Sequence, residues 1–80
     1  MDRTEVYSRL KGVFADVFDR EVELKDETTA ADVPGWDSLT HITLIGAVED
    51  EFDVKFAMKD VVGMKNVGEM VDKIIELADE

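Results

Sequence analysis

Gly35-Trp36-Asp37-Ser38-Leu39 decides how this chain folds, because it joins a loop closed by Pro34 and Gly35 to the longest apolar-rich segment, Leu39 to Phe52. Asp37 stands where a helix N-cap belongs. Its short carboxylate can accept the free backbone N–H groups of a first turn, and it sits at the positive end of the helix dipole. Ser38 then falls at the first helical position, so its hydroxyl projects from an exposed helix end. A bulky group attached there would meet solvent rather than packed side chains. Asp-Ser-Leu alone carries little weight, since short motifs match by chance; the residues around it have to carry the reading.

Within the helix that follows, the apolar residues do not lie on one stripe. At about 100° per residue, Leu44, Ile45, Val48 and Phe52 cluster as a core face, whereas Leu39, Ile42 and Gly46 fall on or near the other side, with Thr43 and Asp50. Two apolar residues beside an accessible hydroxyl, with Glu49 and Asp50 lower on the helix, describe a docking face with an apolar centre and a charged margin. The alternative is that the preceding loop covers Leu39 and Ile42, with Trp36 as the lid. His41, the single histidine, points along the core stripe. A nucleophile-base pair with Ser38 is conceivable, but there is no Gly-x-Ser-x-Gly elbow and no orienting acid beyond the capping Asp37. A packed, hydrogen-bonded histidine is the expectation.

Upstream, Val6, Leu10, Val13, Phe14, Val17 and Phe18 have the spacing of one helical face, which predicts a helix from Asp2 to about Phe18, with Asp2 and Glu5 as a capping box. From Asp19 to Trp36 the periodicity fails. A loop this long in so short a chain is more often functional or well packed than idle; Thr28 to Asp32 could form a helical turn within it. Asp26, Glu27 and Asp32 lack EF-hand spacing, so no metal site is expected. Downstream, a short helix is expected around Lys59 to Val62. Asn66 and Glu69 resemble a second capping box, opening a final amphipathic helix through Val67, Met70, Val71, Ile74 and Ile75 to near Leu77. Met58, Met64 and Met70 read as adaptable core filler.

Eighty residues make one small domain, which buries only about 60% of its unfolded surface and has little room for an enzyme cleft. With 20 acidic residues against 9 basic ones, the net charge is −11. That balance repels nucleic acid and anionic membranes and favours partners that present Lys and Arg. Cysteine is absent, so any thiol must come from a cofactor. No apolar run approaches the ~20 residues of a membrane span and no signal sequence is evident, so a cytoplasmic chain is expected.

Trp36-Asp37-Ser38-Leu39-Thr40-His41-Ile42, followed by Glu49-Asp50-Glu51-Phe52, resembles the modified segment of acyl carrier proteins and the related peptidyl carrier proteins. The resemblance extends from Val6 to Ile75 without a gap. It implies an all-α fold: a four-helix bundle with a long first loop and a short third helix, forming one carrier domain over residues 1–80. It implies that Ser38 carries 4′-phosphopantetheine from coenzyme A, with Asp37 helping to position the transferase's metal and cofactor. An acyl or aminoacyl group would ride on the arm as a thioester, and the chain itself would not be an enzyme.

The implied partners are a phosphopantetheinyl transferase, an acyl- or aminoacyl-loading enzyme, and an acyltransferase or ketosynthase with a basic docking surface. These would meet a monomeric carrier at Leu39, Ile42, Thr43, Gly46, Glu49 and Asp50. The second helix of fatty-acid synthesis carriers is more acidic at the positions of Thr40 and Thr43 and larger at that of Gly46. Trp36 is more like stand-alone, peptidyl and D-alanyl carriers. A specialised lipid, polyketide or cell-envelope pathway is therefore expected, with an aminoacyl, peptidyl or D-alanyl carrier as the alternative and an unmodified acidic interaction module as a remote one.

Overall fold

Three of the four helices start where a short polar side chain, Asp2, Asp37 or Asn66, takes up free N–H groups, and the first and second stop where the backbone turns left-handed. In the computed structural model, which describes residues 2–79, the helices are α1 (Arg3–Phe18), α2 (Ser38–Phe52), α3 (Met58–Gly63) and α4 (Val67–Ala78), and no strand is present among these residues. Both ends of the expected 1–80 domain, Met1 and Glu80, lie outside the described residues. The Asp2 carboxylate accepts from Glu5 N at 2.8 Å, and the Asn66 side chain accepts from Glu69 N at 2.9 Å. Both expected boxes thus show their N-cap half.

The ends of α1 and α2 share one construction. Asp19 (φ 56°) and Asp53 (φ 54°) are left-handed, and the carbonyls of Ala15 and Glu49 each accept from the aspartate and from the residue after it. These are Schellman-type stops with Asp where Gly is the common choice.

Val6, Leu10, Val13 and Phe14 of α1 are buried, as are Leu44, Ile45, Val48 and Phe52 of α2 and Met70, Val71 and Ile74 of α4. α1 packs against both α2 and α4. Fully burying such a side chain stabilises by about 1.5–3 kcal/mol, so packing rather than helix propensity decides the fold. α3 buries only Val61. It also corrects one expectation: Met58 is 72% exposed rather than core filler. A six-residue helix has one face to bury, and Met58 lies off the Val61 face, on the side of Val62.

The long first loop is held at several points. Val22, Val33 and Trp36 are buried, Arg20 donates to the Pro34 carbonyl at 2.6 Å, and Ala30–Asp32 forms a 3-10 turn, inside the stretch read as a candidate turn. The carbonyls of Asp26 and Thr28 accept from Gly68 N (2.9 Å) and Val67 N (2.8 Å), so the loop satisfies two of the free N–H groups at the start of α4. Asp26 also accepts from Arg3 at 2.6 Å and from the Tyr7 hydroxyl, while Arg3 reaches on to Asp72. These contacts hold the Asp26 carboxyl below its usual range, the Tyr7 bond first and the Arg3 bond second. Burial, then the Asp26 bond, pushes the Tyr7 phenol up to about 12.

The Arg3–Asp26 and Arg9–Glu51 ion pairs on the surface are more than a third exposed, and pairs of that kind contribute about 0–1 kcal/mol each. They leave most of the repulsion of a −11 chain unanswered. The melting temperature should therefore rise between low and moderate NaCl, as the Debye length contracts from about 30 Å at ~0.01 M to about 10 Å at ~0.1 M. A thermal melt followed by circular dichroism checks this. A flat or falling midpoint would show the acidic residues to be compensated within the fold.

Candidate functional site

Trp36 turns inward at the end of the loop, 9% exposed, with its ring edge-on to Phe14 (centroids 5.3 Å apart) and tilted against Phe18 (6.3 Å). This anchor brings the next two residues out onto the surface. Asp37 is extended, and one carboxylate oxygen accepts from both Leu39 N and Thr40 N at 3.0 Å. Thr40 completes a reciprocal box: its hydroxyl oxygen accepts from Asp37 N at 2.7 Å, and its hydroxyl is 2.7 Å from the Gly35 carbonyl. The bonds from Thr40 N and then its hydroxyl hold the Asp37 carboxyl below its usual range, which keeps the cap charged at the positive end of α2. Thr40 was legible in the sequence only as a departure from an acidic pattern. Its place three residues after an N-cap Asp is the signal that gives it this role, with the hydroxyl doing what Glu or Gln does in the commoner box.

Ser38 is the first residue of α2 and is exposed. Its hydroxyl has no hydrogen-bond partner among the described residues. Beside it lies an open groove of about 550 Å³, lined by Trp36, His41 and Ile42 on one side and by Val61, Val62 and Met64 on the other. Leu39 is 81% exposed and Ile42 59%, so Trp36 does not act as their lid. Met58 and Val62, i and i+4 on one face of α3, are 72% and 76% exposed. The apolar surface next to Ser38 thus comes from two helices, and its α3 half was missed because a short segment of mixed apolar residues gives no clear periodicity.

Thr43 and Asp50 are exposed and Gly46 is half-buried. Glu49 is half-buried, and its carboxylate accepts from Phe56 N at 2.8 Å, so this side chain ties the α2–α3 connection to α2. His41 is packed: Nδ1 lies 3.0 Å from the Trp36 indole nitrogen and Nε2 3.0 Å from the Val61 carbonyl, with the two rings stacked. Neither imidazole nitrogen is free to take a proton from Ser38.

The arrangement fits a covalently attached group. It offers an unbonded hydroxyl on a rigid, doubly capped helix end, open to solvent, with an apolar groove and patch alongside. Several comparisons with known proteins agree. The family model for the phosphopantetheine attachment site matches residues 8–74. The acyl carrier protein of Clostridium perfringens is 36% identical over 72 residues, covering 89% of this chain and 95% of that protein. That of Saccharopolyspora erythraea is 28% identical over 78 residues, covering 96% and 82%. In three dimensions, the solution structure of a holo acyl carrier protein from Geobacter metallireducens superposes with a TM-score of 0.84 at 36% identity, over 90% of this chain and 84% of that one. No helix among the described residues is long and apolar enough to cross a membrane. The chain therefore belongs to the acyl carrier protein family and takes that family's covalently attached 4′-phosphopantetheine.

Proposed function

We propose that Ser38 is the attachment residue and that the protein is a carrier for an acyl group, not an enzyme. The observation that carries this is the exposed, unpartnered Ser38 hydroxyl at the capped start of α2. In the loading reaction the Ser38 oxygen would form a bond to the phosphorus that bears the pantetheine in coenzyme A, the nucleotide bisphosphate would leave, and the serine proton would pass to solvent or to a base on the transferase. Asp37 keeps the first turn of α2 in register by accepting from Leu39 N and Thr40 N. When bound, the arm supplies the thiol that this cysteine-free chain lacks, to hold an acyl group as a thioester. Intact mass after incubation with coenzyme A and a promiscuous phosphopantetheinyl transferase tests the assignment: one phosphopantetheine addition is expected, and no addition would refute it.

The docking face we assign to Leu39, Ile42, Thr43, Gly46 and Asp50 on α2, with Met58 and Val62 on α3. The uncharged Thr43 and the side-chain-free Gly46 support a pathway outside primary fatty-acid synthesis, in specialised lipid, polyketide or cell-envelope chemistry. A carboxylate at position 43 would add a charge-assisted contact to a partner Arg or Lys. A side chain at 46 would fill the centre of the interface, where binding energy concentrates. Loaded with the same acyl group, the Thr43→Glu/Gly46→Met double variant should be turned over by a fatty-acid synthesis ketosynthase at least ~10-fold faster than wild type, the equivalent of one good polar contact. Equal turnover would remove these positions from partner choice.

A further inference from the structure

α3 has little reason of its own to stay in place. It is six residues long with one buried side chain, Val61, well below the ~12 residues at which isolated helices become even marginal. Side chains from its neighbours hold it on two sides. From α4, Lys73 pairs with Asp60 at 3.4 Å. From α2, His41 Nε2 lies 3.0 Å from the Val61 carbonyl. The second contact depends on a proton, because a carbonyl accepts only and the imidazole nitrogen facing it must carry the hydrogen. Trp36 settles that. An indole N–H donates only, and its nitrogen lies 3.0 Å from His41 Nδ1, so Nδ1 is the acceptor and the single proton of the neutral ring sits on Nε2, aimed at Val61. The stacked rings, 5.9 Å apart, fix the plane in which both bonds are made.

We propose that His41 is a positioning residue: held as its Nε2–H tautomer by the Trp36 indole, it clasps α3 to α2 and sets the mouth of the groove beside Ser38. The clasp reaches the site from both ends. Trp36 directly precedes the Asp37 cap, and Val61 stands on the opposite wall of the same groove. With the clasp closed, Leu39 and Ile42 of α2 and Met58 and Val62 of α3 form one preorganised surface, which lowers the ordering cost of docking. With it open, α3 keeps the Asp60–Lys73 tie, the packing of Val61 and the Glu49 bond to Phe56 N in the segment that leads into it. What this means for a loaded arm rests on Ser38 being the attachment residue. The clasp itself does not, and it is read on unmodified protein, so a failed clasp and a failed attachment site are separate results.

The experiment uses ¹⁵N spectra of the imidazole, recorded where the ring is neutral, together with amide hydrogen exchange by NMR, on wild type and four variants. In wild type, Nε2 should carry the proton and Nδ1 should not. His41→Leu should speed exchange of the α3 amides about tenfold, the worth of roughly one hydrogen bond, while leaving Val71 and Ile74 of α4 unchanged. His41→Gln, which can keep a donor near the Nε2 position, should recover part of the α3 protection. His41→Asn, which reaches only the Nδ1 position, should not. Trp36→Phe removes the indole donor and should raise the share of the other tautomer. An Nδ1–H ring in wild type would overturn the proposal, as would α3 exchange unchanged in His41→Leu. Equal acceleration of α3 and α4 would also overturn it, by showing that His41 merely fills space in the fold.

Discussion

Ser38→Ala is expected to abolish incorporation of phosphopantetheine completely while leaving the fold intact. The transferred group needs an oxygen nucleophile at that place, and the exposed hydroxyl of Thr4 or Ser8 lies on α1, away from the capped end of α2. The Ser38 hydroxyl makes no bond among the described residues, and Asp37 holds Leu39 N and Thr40 N without it. Substitution should therefore move stability by no more than about 0.5 kcal/mol, the usual range for surface changes away from special features. Two readouts separate the cases. Intact mass should show no addition after exhaustive incubation with coenzyme A and transferase, and the circular dichroism melt should match that of wild type. Modification persisting in Ser38→Ala would overturn the assignment, and a collapsed helical signal would make the serine a structural residue.

Gly68→Ala should give the largest loss of stability of any single-methyl change in this chain. A Cβ at Gly68 would sit 2.9 Å from the Asp26 carbonyl oxygen, 3.1 Å from its Cβ and 3.2 Å from its Cα. Those are largely backbone atoms, which give way only if the loop moves as a whole. The same carbonyl accepts from Gly68 N at 2.9 Å, with Thr28 O on Val67 N just beside it, and Asp26 carries the Arg3 and Tyr7 contacts. Overpacking costs about 1–3 kcal/mol, and a lost hydrogen bond at a helix start adds about 1 kcal/mol. For a domain of this size that corresponds to a midpoint lower by more than ~10 °C. Gly46→Ala is the control: its Cβ would meet nothing within 4 Å, and replacing a mid-helix glycine stabilises by about 1 kcal/mol. A Gly68→Ala midpoint within a few degrees of wild type would show that the loop yields easily and does not brace α4.

The sequence carried the parts of this structure that depend on periodicity and caps. The stripes of α1, α2 and α4 lie where their apolar spacing puts them, and Asp2, Asp37 and Asn66 cap as their positions require. The exposed serine after a capping aspartate, and the packed histidine three residues on, were legible for the same reason: both follow from local geometry. What was not legible depends on contacts distant in sequence. Nothing local says that Asp26 and Thr28 present their carbonyls to the start of α4, or that His41 reaches Val61. The exposure of Met58 was missed because hydrophobicity alone does not tell how many faces a six-residue helix can bury. Glu49 reads as a free acidic side chain until the chain folds back and presents Phe56 N to it.

The two left-handed aspartates bear on how this protein would respond to sequence drift. Asp19 and Asp53 each hold a conformation that glycine adopts without strain, and each adds a negative charge to a helix end that already presents its carbonyls. Neither side chain stands on the groove wall or in the apolar surface beside Ser38, so neither is constrained by the proposed attachment and docking sites. They are positions where a lineage could exchange charge for robustness without touching loading or docking. Thermotolerant relatives would be the place to look for glycine or asparagine at these two stops, while the cap at Asp37 stays fixed.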